Sequence, residues 1–145
     1  MKRPGRSLLR GLAVTTLVLS AGACSSNSER PLYPVRGKVL YQGKPAHRAT
    51  VWFHPEAKSE SKSARPHAVV EQDGSFKVST YNTHDGAPAG RYRVIVIWTA
   101  PGKFSSDDAG KSLLPARYSD PQRSGLPVVE IKEGPNELPP FELTP

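Results

Sequence analysis

The sequence predicts an all-β protein, a seven-stranded antiparallel β-sandwich, and three observations carry that expectation. Short segments of alternating apolar and polar residues recur along the chain, and side chains in a strand point to opposite faces in turn. The 145 residues include 12 glycines and 15 prolines, a density that favours turns because both residues weaken helix interiors. The stretch 90–98 reads as the central strand. It sets Tyr92, Val94, Val96 and Trp98 on one face and Arg91, Arg93, Ile95 and Ile97 on the other. Residues 94–98 have no polar break, which predicts cover on both faces towards the end of the strand. As a helix the same residues would be apolar all round and would start on a glycine.

The other elements follow in order. Val35, Gly37, Val39 and Tyr41 alternate with Arg36, Lys38 and Leu40, a half-buried strand, and Gln42-Gly43-Lys44-Pro45 is a turn. Ala49, Val51 and Phe53 face inward opposite Thr50, Trp52 and His54, and Pro55 stops that strand. Residues 56–66 are polar and serine-rich, a surface loop. Asp73-Gly74 marks a hairpin between strands at 68–72 and 75–80, with Phe76 and Val78 inward. Residues 81–89 form a loop leading to Gly90. Residues 100–126 make a long connection pinned by Leu113, Leu114 and Tyr118, since a connection of this length needs packing of its own. Val129 and Ile131 face inward on a strand at 127–132, residues 133–136 turn, and Phe141 and Leu143 face inward on a last strand at 140–144.

The first 34 residues are organised differently. Lys2, Arg3, Arg6 and Arg10 give a basic start, residues 12–19 are apolar apart from two threonines, and small residues lead to Cys24, the single cysteine of the chain. That layout is a secretory signal peptide over 1–23, too short and wrongly flanked for a membrane span. Gly22-Ala23-Cys24 resembles a bacterial lipobox, with Ala21 where leucine is usual. The resemblance implies cleavage before Cys24 and acylation of its sulfur and new amino group, which would account for an unpaired cysteine in an exported chain. Several acyl chains give lasting attachment to a membrane. Residues 24–34 then form a flexible tether of at most a few tens of ångströms, at roughly 3.3–3.6 Å per residue. Ser25 resembles the residue type that directs such proteins to the outer membrane. The folded domain is expected over 35–145, large enough to bury about two-thirds of its unfolded surface without a disulfide.

Removing the presequence takes the formal net charge from +7 to +3. No run of Lys or Arg with interleaved aromatics is present, which argues against nucleic acid as a partner. The modest positive charge suits anionic polymers of the envelope.

Several segments together resemble a known fold family. Val35-Arg36-Gly37-Lys38-Val39, Gly43-Lys44-Pro45, Ala49-Thr50-Val51-Trp52-Phe53, Asp73-Gly74-Ser75-Phe76 and Gly90-Arg91-Tyr92-Arg93-Val94 resemble the transthyretin-like, or carboxypeptidase-regulatory-like, sandwich. His84-Asp85-Gly86-Ala87-Pro88-Ala89-Gly90, with Leu114-Pro115-Ala116-Arg117-Tyr118-Ser119-Asp120-Pro121, is similar to small exported bacterial lipoproteins of that fold. The resemblance covers residues 35–144 and speaks for fold, since fold alone does not license a function. A relative that hydrolyses 5-hydroxyisourate carries a terminal Tyr-Arg-Gly-Ser, whereas this chain has Phe141-Glu142-Leu143-Thr144-Pro145. Intradiol dioxygenases of related fold bind iron through two tyrosines and a His-x-His pair, and His47, His54, His67 and His84 include no such pair.

No catalytic residue, cofactor or metal is therefore expected. The aspartates at 73, 85, 107 and 108 stand in no complete calcium loop, and Asp before Gly is ordinary turn chemistry. No serine stands in a nucleophile-elbow pattern. Two candidate contact surfaces remain. One is Trp52, outward on its strand, with burial against a sheet or loop as the alternative. The other is the loop pair holding His84 and Asp85, and Asp107 and Asp108, because binding residues concentrate on loops of a rigid scaffold. The expected function is a lipid-anchored, exported envelope protein, membrane-bound through Cys24, whose domain works non-catalytically in interaction or structure. Its partners would be an envelope protein or polysaccharide. A carbohydrate or envelope-polymer binding module is the first alternative, and an enzyme of the hydroxyisourate hydrolase type the second.

Overall fold

A computed structural model describes residues 30–57, 65–100 and 110–145. Eleven strands occur among them: β1 (Leu32–Tyr33), β2 (Val35–Tyr41), β3 (Lys44–Pro45), β4 (Thr50–Pro55), β5 (His67–Val69), β6 (Ser75–Lys77), β7 (Ala87–Pro88), β8 (Gly90–Ile97), β9 (Val129–Ile131), β10 (Asn136–Glu137) and β11 (Phe141–Leu143). The only described helical turn is a 3-10 segment at Ala116–Ser119. The protein is thus all-β and sandwich-like. The seven expected segments all contain strand, and the four additions (β1, β3, β7 and β10) are pairs of residues too short to show a period.

The strands form three sheets. β5-β4-β8-β9 is a four-stranded antiparallel sheet, β2 centres a five-stranded sheet with β3, β6, β10 and β11, and β1 pairs with β7. β8 is the longest strand and pairs with β4 over six residue pairs, as a central strand should. The two larger sheets share one core. Phe53 of β4 meets Phe76 of β6 with ring centroids 6.3 Å apart, and Phe76 stacks on Phe141 of β11 at 6.1 Å. Val35, Val39, Val51, Val94, Val96, Ile131 and Leu143 fill the space around them. Burial of this hydrocarbon is the main stabilising term, at roughly 25 cal/mol per Å².

Several expectations need correction. The sheet is not wholly antiparallel: β10 and β11 run parallel to β2. The expected turn at 133–136 carries the chain out of one sheet and into the other. Asn136 closes it, accepting the Lys132 N–H and donating to the carbonyls of Lys132 and Gly134. Likewise Asp73-Gly74 does turn the chain, with Gly74 at φ +84° and the Asp73 carboxylate taking the Ser75 N–H and hydroxyl. Its two arms stay joined by backbone bonds from Glu71 to Ser75 and between His67 and Ser79, while β5 takes its ladder with β4 and β6 with β2.

Leu113 is exposed and does not pin the long connection; Leu114 and Tyr118 do, both buried. Cover of β8 on both faces holds at Ile95 but not at Ile97, which is 41% exposed. Paired structure also starts before Val35, because Leu32 and Tyr33 sit opposite Pro88 and Ala87. Gly86 permits this approach. Its φ is +94°, and a Cβ there would overlap the Tyr33 carbonyl. Among the described residues no helix is long and apolar enough to cross a membrane.

Candidate functional site

The outward face of β5-β4-β8-β9 is assembled from strand register. Val51, Phe53, Ala68, Val94 and Val96 point to the core, so their neighbours in sequence point away. Pairing sets Val69, Thr50 and Ile97 in one row, and His67, Trp52 and Ile95 in the next. His54 and Arg93 occupy a third row. Val69 and Ile97 are large apolar side chains left open, at 55% and 41% exposure.

Trp52 belongs to this face and is half-buried. The His67 imidazole stacks on its indole, with centroids 4.9 Å apart and planes 28° apart. The outward reading of Trp52 therefore holds, with one face of the ring covered by a strand neighbour. The His67 ring nitrogen Nδ1 lies 3.2 Å from the Arg65 carbonyl. Beyond Trp52 the face turns cationic. Burial, and then the charge of Arg65, hold the His54 pKa below its ordinary value. Arg91 and Arg93 both reach the Glu56 carboxylate, at 3.3 and 3.1 Å. The surface thus runs from hydrocarbon through an aromatic stack to guanidinium groups, a mixture typical of protein contact sites.

The loop at 80–86 is built otherwise. Asp85 accepts N–H bonds from Thr80 at 2.6 Å, Tyr81 at 2.9 Å and Asn82 at 2.6 Å. Burial pushes the Asp85 pKa up, the three bonds pull it down, and the bonds win, so it lies below the ordinary carboxylate value. Both oxygens are committed, and Asp85 is a structural residue. His84 is exposed, at φ +59°, with its backbone N–H on Ser79 Oγ at 2.8 Å. Ser79 is in turn bridged to His67 by backbone hydrogen bonds in both directions. The two candidate surfaces are thereby joined through Ser79 and His67. Cys24, Asp107 and Asp108 lie outside the described residues.

His67 is the residue that the sequence hid. Its place beside Trp52 depends on β4–β5 register, and no local pattern reveals which residues of two strands will be opposite. Among the described residues, no group of three or more His, Cys, Asp or Glu side chains is placed to hold a metal ion.

Another polar cluster fixes the chain's last strand. The Arg117 guanidinium lies 4.6 Å from the Tyr118 ring centroid and donates to the carbonyls of Thr144 and Pro145, each at 2.9 Å. Thr144 N–H donates to Tyr118 Oη at 2.9 Å. Burial raises the Tyr118 pKa, but these bonds outweigh it and the phenol lies below its ordinary value.

No family model matches the chain, and no curated protein does. Among solved structures it is similar to a DUF3823 family protein from Parabacteroides merdae, at 19% identity and a TM-score of 0.43, covering 81% of this chain and 48% of that one. A second DUF3823 family protein, from Bacteroides ovatus, is 16% identical with a TM-score of 0.42, covering 78% and 45%. A 9R-lipoxygenase from Cyanothece is 15% identical with a TM-score of 0.40, covering 78% of this chain and 16% of that one. The chain spans less than half the length of each of these three structures.

Proposed function

We propose that this is an exported envelope protein, lipid-anchored through Cys24, whose domain is a non-catalytic interaction module of the transthyretin-like sandwich type. Its working surface is the outward face of β5-β4-β8-β9. The observation that carries this reading is that face itself: Val69, Ile97 and the Trp52–His67 stack lie open beside Arg91 and Arg93. Support for a non-catalytic role comes from the displaced carboxylates. Asp73 and Asp85 are each explained by bonds that shape a turn, rather than by a reaction. Radiolabelled palmitate is expected to enter the native chain and not Cys24→Ala. Equal labelling of the two, or none in either, would remove the anchor. Crosslinking in intact cells is expected to capture a partner that Ile97→Asp and Val69→Asp release.

A saccharide ligand is the second reading, favoured by Trp52, because an aromatic ring on a rigid sheet is a surface on which sugars stack. A glycan array on the native chain and on Trp52→Ala separates the two readings: binding lost in the variant supports the saccharide, and no binding by the native chain excludes it.

A further inference from the structure

The outward face of the other sheet carries an arrangement that folding does not require. β2 and β6 pair so that Arg36 stands opposite Lys77 and Lys38 opposite Ser75. Residues directly opposite have Cβ atoms roughly 4.5–5.5 Å apart, and like charges so placed destabilise a sheet. Lys38 projects from the same face as Arg36, two residues along.

Three acids stand near these three cations, Glu137, Asp73 and Glu142 (exposed on β11, opposite Leu40), but they hold them only loosely. Glu137, opposite Arg36 on β10, reaches its guanidinium only at 4.0 Å, with the two side chains 75% and 61% exposed. Such an exposed pair contributes little. The Asp73 carboxylate feels the charge of Lys38 but is bonded to the N–H and hydroxyl of Ser75.

Between the cations lies a concavity of about 440 Å³, lined also by Ser75, Glu137, Leu138 and Pro140, and by Phe76, whose ring is turned into the core. That volume is within the usual range of small-ligand sites, about 300–1,000 Å³. The sheet edge opens it. β10 pairs with β2 only at Val35 and Arg36, and β11 joins only from Val39, which leaves a gap in that edge at Gly37 and Lys38.

We propose that this concavity binds a phosphate group, with Arg36, Lys38 and Lys77 on its oxygens and Leu138 and Pro140 against the group that carries it. A planar carboxylate is matched by a single arginine fork. Three separate cations on one face of two paired strands suit a tetrahedral anion with oxygens on several sides. The site is on a different sheet from Trp52 and stands or falls apart from the function proposed above. The phosphate belongs either to a soluble phosphate ester or to a lipid headgroup, and the two share this chemistry.

The test is amide NMR of the full-length chain in nonionic detergent, titrated with inorganic phosphate. Saturable shifts are expected at Gly37, Lys38, Phe76, Lys77 and Leu138. Lys77→Glu should weaken binding about tenfold, since a charge-assisted contact is lost. It should also raise the unfolding midpoint by roughly 1–4 °C, because an opposite-charge pair replaces a like-charge one. Lys38→Gln should weaken binding without that gain. Shifts that do not saturate, that spread equally over Arg91 and Arg93, or that persist unchanged in Lys77→Glu would overturn the site. Glycerol 3-phosphate and dihexanoylphosphatidylglycerol then distinguish the source. Tighter competition by the lipid assigns a headgroup, equal competition assigns a soluble ester, and competition by neither overturns the proposal.

Discussion

Replacing Asp85 by alanine separates a structural carboxylate from a binding one. The carboxylate closes a tight loop by accepting three backbone N–H groups at 2.6–2.9 Å. Tyr81 and Asn82 are exposed, so water replaces the lost acceptor there at small cost. Thr80 is only 6% exposed, and its N–H would be left without a partner. An orphaned buried donor costs about 1–3 kcal/mol, and two solvated bonds to a charged acceptor add less than that. A total of about 2–3 kcal/mol follows, equivalent to a fall on the order of 10 °C in Tm for a domain of this size. Asp85→Asn keeps one acceptor oxygen and should lose about half as much. Urea unfolding followed by tryptophan fluorescence measures both. An Asp85→Ala variant within about 0.5 kcal/mol of the native chain would refute the reasoning and return Asp85 to the list of binding residues.

Three further outcomes are expected. Gly37→Ala drives a methyl into the buried Phe76 ring, with contacts of 2.6 and 2.8 Å; overpacking of about 1–3 kcal/mol exceeds the 0.4–1 kcal/mol gained from a stiffer unfolded chain, so urea unfolding should show net destabilisation, relieved by Phe76→Leu. Stability should fall with acid in two pH windows. The folded-state pKa of His54 is depressed, so stability declines as pH falls below the unfolded value of about 6.5, and His54→Gln should remove the first. The folded-state pKa values of Asp73 and Asp85 are also depressed, so their contribution is present above the unfolded value of about 3.9 and is lost as pH falls through the folded one. Arg117→Ala removes the bonds to Thr144 and Pro145, and hydrogen exchange at Phe141 and Leu143 should quicken while β8 stays protected.

The sequence shows what is periodic and local, and hides what depends on pairing. Val35, Val39, Val51, Phe53, Val94, Val96, Ile131 and Phe141 are buried where a two-residue period places them. Gly74 turns the chain as Asp-Gly should, yet nothing local says that β5 and β6 will leave for different sheets. The parallel entry of β11 beside β2 was equally hidden, since a turn at 133–136 reads the same whether it makes a hairpin or a crossing. The Trp52 face follows the same division. Its outward direction is legible from alternation, but His67 and Arg93 reach it by register alone. Asp85 before glycine reads as turn chemistry, and its loop folds back so that both oxygens accept backbone N–H bonds, whose partners sequence alone does not name.

The proposed function depends most on Cys24 tying a β-domain to a membrane. Mass spectrometry of the amino-terminal peptide, taken from the protein in its native host, tests this directly. The expected peptide begins at Cys24 and carries a diacylglycerol thioether and an acylated amino group. A free Cys24 thiol, or a peptide that still contains residues 1–23, would contradict it.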